Sequence, residues 1–228
     1  MLAILLVLLG SDNVDGRRAG RRRQRAVEER PAANLTIPSV PVDLSTLDPT
    51  CHARAHSGYQ GDRAVVWGMS FKLSDPGACC QACKAHAAAC GRPESKDVVW
   101  WPQRPDLTCG KAPGCNIWSF CPEPQCFAFN DHHHMFGECW LKQQTVEPTR
   151  PRDPFEGHQH FPPQLRGSPR RTWPWAVSVD TWPGPMPERV PWTSGVLAPA
   201  DAQVVSAPPG DRWRYRWCQR HGPCDEVD

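Results

Sequence analysis

Residues 115–144 read CNIWSFCPEPQCFAFNDHHHMFGECWLKQQ and hold four cysteines, two tryptophans and three adjacent histidines within thirty positions. Three short strands are legible in the stretch. In CNIWSFC, Cys115, Ile117, Ser119 and Cys121 alternate with Trp118 and Phe120; in CFAF, Phe127 and Phe129 share a side; in CWLK, Cys139 and Leu141 oppose Trp140 and Lys142. Alternation with period two places each set on its own face of a strand. The sulfurs have three possible uses, as disulfides, as metal ligands or as a redox pair, and each implies a different protein.

Upstream, residues 64–73 (AVVWGMSFKL) alternate over their full length and predict a half-buried strand with Val65, Trp67, Met69, Phe71 and Leu73 on one side. The next run, SDPGACCQACKAHAAACG, carries helix punctuation: Asp75 as N-cap, Pro76 at the first helical position, an alanine-rich body and Gly91 as the stop. Cys80, Cys83, Ala87 and Cys90 fall at spacings of three and four, so that stripe is expected to face the core and bring its sulfurs to the strands above it. Residues 91–114 are polar and broken by prolines, and predict an inserted loop docked through residues 98–101 and stapled by Cys109 to Cys90. The order is strand, helix, then three strands, which predicts an α+β fold: one helix packed on a small curled antiparallel sheet and pinned to it by disulfides.

The chain has 228 residues with 26 prolines and 17 glycines, a content that points to one compact domain with long irregular Pro-rich flanks. Nine of its twelve cysteines (Cys79, Cys80, Cys83, Cys90, Cys109, Cys115, Cys121, Cys126, Cys139) lie between residues 79 and 139; Cys51, Cys218 and Cys224 lie outside. A formal net charge of +2 gives no argument for nucleic acid as a partner. Residues 1–30 join the apolar run MLAILLVLLG to the basic segment RRAGRRRQR, which predicts an export signal followed by a basic processing site, the end of a membrane anchor, or an organelle-targeting segment. The run is too short to span a bilayer, which takes roughly 20 residues. Asn34-Leu35-Thr36 is an N-glycosylation sequon, meaningful if the chain enters the secretory route. Residues 31–50 read as an extended linker.

The helical CCQAC, then CNIWSFC, then a closing CWLK resemble the PAN/Apple domain family in a cysteine-rich variant, over residues 51–146. The resemblance implies one helix against a curled antiparallel sheet with disulfides between them. By position Cys80 and Cys83 match the helical pair, Cys115 and Cys121 the central strand, Cys139 the closing strand, and Cys51 an N-terminal cysteine that ties the domain's ends. Cys79 and the 91–114 insertion with Cys90 and Cys109 depart from the family pattern and leave the connectivity open. Members bind proteins or carbohydrates through the sheet surface and loops, so no ligand-contact residue carries over.

An even cysteine total, an export signal, the sequon and a small core favour disulfides. The metal alternative uses Cys80, Cys83, Cys121 and Cys126, or His132, His133 and His134 beside Asp131. The cysteine spacing is too irregular for a zinc knuckle, and the plain reading of NDHHHMFGE is an exposed turn. The redox alternative is Cys80-x-x-Cys83 in the first half of a helix, where a thiol pKa falls, but the strand order is not that of a thioredoxin. No phosphate loop, nucleophile elbow or zinc-protease helix occurs. The expectation is a non-catalytic extracellular or secretory-pathway binding module, secreted or membrane-anchored, with a protein or carbohydrate ligand and no cofactor. A metal-binding or redox protein and a structural wall or matrix component are the alternatives. Residues 147–228 predict an irregular Pro/Trp-rich tail whose Trp173, Trp175, Trp182 and Trp192 either stack on a ligand or hold the tail to the domain, with Cys218 and Cys224 closing a small local loop.

Overall fold

Helix α1 (Pro76–Ala89) starts where its punctuation demands: the Asp75 side chain accepts a hydrogen bond from the Ala78 N–H at 2.8 Å and Pro76 occupies the first turn. It ends at Cys90, whose N–H donates to the His86 carbonyl, and Gly91 follows at φ +106°. The computed structural model describes residues 43–145, 147–155, 157–174, 177–207, 214–222 and 224. The buried face of α1 is Pro76, Cys79, Cys80, Ala82, Cys83 and His86. It is rotated from the expected stripe: Ala87 is half-exposed, while Cys79 and His86 are buried.

Strands β1 (Arg54–Ala55), β2 (Arg63–Val66), β3 (Ile117–Phe120), β4 (Gln125–Cys126), β5 (His134–Met135), β6 (Cys139–Gln143) and β7 (Thr193–Val196) form two sheets. The larger has the order β1-β7-β3-β6-β2 with every pair antiparallel, and β4 pairs with β5 as a separate ladder. The α+β architecture, with one main helix on an antiparallel sheet, is therefore as expected. The central strand β3 is buried at all four residues, so both sheet faces are covered. Trp118, Phe120, Leu141 and Cys139 face the core shared with α1. Ile117 packs on Tyr59 and Val196 in a smaller cluster, and Ser119 meets Ser194.

Six disulfides are formed and no described cysteine is free. Cys51–Cys80, Cys79–Cys139 and Cys83–Cys115 tie α1 to the N-terminal turn, to β6 and to the entry of β3. Cys79, the neighbour of Cys80, thus takes Cys139 of β6, and Cys121 pairs locally with Cys126. Cys90–Cys109 staples the insertion, whose Trp100 lies 5.0 Å from the His86 ring and 5.7 Å from Phe71. Cys218–Cys224 closes the C-terminal loop behind helix α3 (Arg214–His221), a segment that follows the short helix α2 (Pro163–Arg166) in the chain.

Four further expectations are corrected in the fold. The strand predicted in CFAF keeps only its first residue, in β4, and Phe127 and Phe129 lie in irregular chain beyond it. The strand predicted over 64–73 stops at Val66 and becomes a 3-10 turn at Gly68–Ser70, where the Trp140 ring fills the space that a side chain at position 68 would take. Val66 and Phe71 point inward while Trp67 is 49% exposed. The linker predicted to run to residue 50 is already ordered before Cys51: Asp48 caps a 3-10 turn and pairs with Lys84 of α1. The tail predicted to be irregular supplies β7, inserted between β1 and β3, so residues 51–146 do not contain the whole sheet. At four residues, TSGV has too few positions to display a period. Trp173 and Trp192 are buried in a second core with Phe127, Phe161, Leu165 and Val190, against which Trp182 packs, while Trp175 lies outside the described residues.

Candidate functional site

The sheet face turned away from α1 is built from the other half of each alternation. In register, Ser119 of β3 lies opposite Trp140 of β6, and Ile117 opposite Lys142. A cavity of about 440 Å³ opens over this face. Its apolar wall is Phe127, Phe129, Phe155, Trp140 and Trp192; its polar wall holds Gln60, Asp62, Arg63, Asn130, His134 and Lys142, with Ser119 alongside. The aromatic wall belongs to the second core: Phe127 packs edge-on to Phe129 at 4.9 Å, and the Trp192 indole N–H donates to the Phe127 carbonyl at 2.9 Å. The tail therefore helps to form the cavity as well as covering the sheet.

Lys142 has an unusual setting. Its Nζ donates to the Tyr59 carbonyl at 2.6 Å and to Ser119 Oγ at 2.8 Å, and among the described residues it has no ion-pair partner. Burial without a counter-charge disfavours the ammonium form and pushes the Lys142 pKa down to about 7. Ser119 Oγ is 2.7 Å from Ser194 Oγ, which donates to the Ser57 carbonyl at 2.9 Å. A line of hydroxyls thus runs from the amine into the sheet. The cavity's carboxylate, Asp62, is engaged by Arg152 and by the Thr145 N–H.

The histidine run divides between surface and interior. His133 is exposed and His132 half-buried with its ring near Trp67, but His134 is 3% exposed, which corrects the expected exposed turn. His134 Nδ1–H donates to Glu138 Oε2 at 2.7 Å, and His134 Nε2 accepts from the Asn130 side-chain amide at 2.9 Å. Asn130 is oriented by the His132 N–H, which donates to its Oδ1. Glu138 also accepts from the Met135 N–H at 3.0 Å and the Trp140 indole N–H at 3.1 Å. Burial acts to raise the Glu138 carboxyl, but these hydrogen bonds outweigh it and hold the group below its usual range as a carboxylate. The inward turn satisfies every polar atom of a buried pair, which a tripeptide of histidines does not signal in sequence.

The sulfurs of Cys80, Cys83, Cys121 and Cys126 stand in three separate disulfides, so Cys80 and Cys83 are not bonded to each other. Among the described residues no three His, Cys, Asp or Glu side chains cluster at a spacing suited to a metal ion. Asn34 and residues 1–30 lie outside the described residues, and among the described ones no helix is long and apolar enough to cross a membrane. Six disulfides fit an extracellular or secreted chain. No family model, curated protein or solved structure matches the chain. The sequence reading missed Ser119, Lys142 and Ser194 as a group; alternation had put Ser119 opposite Trp118 and Phe120, and Lys142 opposite Cys139 and Leu141, but nothing in sequence paired the two strands.

Proposed function

We propose that the chain is a non-catalytic extracellular binding module of PAN/Apple type that takes a saccharide in the cavity beside β6. The observation that supports this is the composition of that cavity: flat aromatic side chains on one wall and hydrogen-bonding groups at Gln60, Asn130 and Arg63 on the other. A sugar ring has the matching duality, with C–H faces that pack on aromatic rings and hydroxyls that need polar partners. A volume of about 440 Å³ falls in the range of small-molecule sites, roughly 300 to 1,000 Å³. The disulfides from α1 to both ends of the β3–β6 pair hold the cavity floor rigid, which limits the ordering cost of binding.

A glycan array probed with the oxidised protein, followed by titration calorimetry on the best glycan, tests the proposal. Gln60→Ala and Arg63→Ala change groups at the rim without touching either core, and each is expected to weaken binding roughly tenfold, about 1.4 kcal/mol, with the melting temperature unchanged. An empty array, or binding that neither substitution alters, defeats the assignment.

A further inference from the structure

We propose that the cavity is also a carbonyl-capture site, in which the Lys142 amine condenses with the aldehyde of a ligand whose flat ring lies against the aromatic wall. The geometry carries this in three parts. Both hydrogens of a neutral amine are accounted for by the Tyr59 carbonyl at 2.6 Å and Ser119 Oγ at 2.8 Å, which leaves the nitrogen lone pair on the remaining side of a residue that lines the cavity. Phe129, Trp140 and Phe155 supply the surface that would hold a ring next to it. Ser119 touches both Lys142 and Ser194, so it is placed to pass a proton away from the amine as the bond forms.

The step balances without an outside reagent. The Nζ lone pair adds to the carbonyl carbon, one N–H proton passes by way of Ser119 Oγ to the former carbonyl oxygen, and a carbinolamine results. Loss of that oxygen as water, with the second N–H proton, leaves a C=N bond between ligand and Nζ. Neither partner is oxidised or reduced. The other charged groups at the cavity do not oppose a neutral amine: Asp62 is taken up by Arg152 and Thr145, Arg63 is at the exposed edge of β2, and His134 is held between Glu138 and Asn130. A pKa near 7 makes about half of Lys142 the free amine at pH 7, against roughly one part in three thousand for an ordinary lysine, a ratio on the order of 10³.

The inference shares the cavity with the binding function but not the identity of its ligand. The chain has five lysines, Lys72, Lys84, Lys96, Lys111 and Lys142, so selectivity is read directly. The oxidised protein is treated at pH 7 with benzaldehyde and sodium cyanoborohydride, which reduces the imine to a stable benzylamine, and the rate at each lysine is followed by peptide mass spectrometry. Lys142 is expected to label at least a hundredfold faster than exposed Lys72, Lys96 and Lys111, and the preference is expected to vanish in guanidinium. A preference below tenfold in the folded protein overturns the proposal. Selective labelling beside an empty glycan array would sustain this inference and remove the saccharide; glycan binding without selective labelling would do the reverse.

Discussion

His86 sits on the α1 face that meets β3, 1% exposed, with its Nδ1 accepting the Cys115 N–H at 3.2 Å and its ring beside Trp100. Burial pushes its pKa down to about 4 from an ordinary value of 6.5. Between those limits the unfolded chain binds the proton and the folded chain refuses it, so this contribution to stability is whole above pH 6.5 and is lost as pH falls toward 4. The linkage amounts to about 2 kcal/mol between pH 7.5 and pH 5. Urea unfolding at the two values, on the native protein and on His86→Gln, measures it: the variant keeps an acceptor for the Cys115 N–H and is expected to lose that part of the slope. An equal slope in both proteins would place the titration elsewhere. His86 was not legible as a core residue, because a histidine among alanines on a helix carries no sign of its partner. Lys142 was invisible for the same reason: its face was assigned by alternation, but the absence of a counter-charge is a fact about residues far along the chain.

The elements legible in sequence are those whose punctuation is local. Asp75, Pro76 and Gly91 bound α1 within a single turn at each end, so its limits were found although its buried face is rotated from the expected stripe, and β3 and β6 alternate strictly, so their faces were found. The failures needed a distant group: β2 ends where Trp140 covers Gly68, and β7 has four residues whose neighbours are more than sixty positions away. Cysteine positions likewise gave a disulfide core without its pairing. The pairing has an energetic consequence, since a cross-link removes more freedom from the unfolded chain as its loop lengthens. Cys79–Cys139 spans 60 residues and joins α1 to β6, whereas Cys121–Cys126 spans 5. Replacing the first pair by serines is expected to cost about 2 kcal/mol more than replacing the second, beyond any loss of packing among buried sulfurs. Parallel denaturant titrations of the two double variants give the difference. Equal losses would mean that native packing, not the unfolded chain, sets the worth of these bridges.

At the scale of the molecule, the interleaving of β7 decides what counts as a domain. Its removal separates β1 from the rest of the sheet and opens the edge of β3, whose backbone would then offer an unpaired row of donors and acceptors. Cutting the chain after residue 146 removes β7, uncovers Ile117 and Tyr59, which Val196 covers, and takes away Phe161, Leu165, Trp173, Val190 and Trp192, which share a core with Phe127. The aromatic wall of the cavity would lose Phe155 and Trp192 in the same cut. A chain of residues 43–146, although it holds all the cysteines that bind α1 to the sheet, is therefore expected to fold poorly: reduced near-ultraviolet dichroism, no single cooperative transition, and self-association on a sizing column. A chain of residues 43–228 is expected to elute as one compact species and to melt in one step. The comparison bears on function as well as on stability, because the Pro/Trp-rich segment would then be part of both the sheet and the site, and a shortened module would lose its ligand cavity together with its strand. A 43–146 chain that melted cooperatively at the same midpoint as the longer one would show instead that the disulfide core suffices, and that β7 is an accessory strand laid on a finished domain.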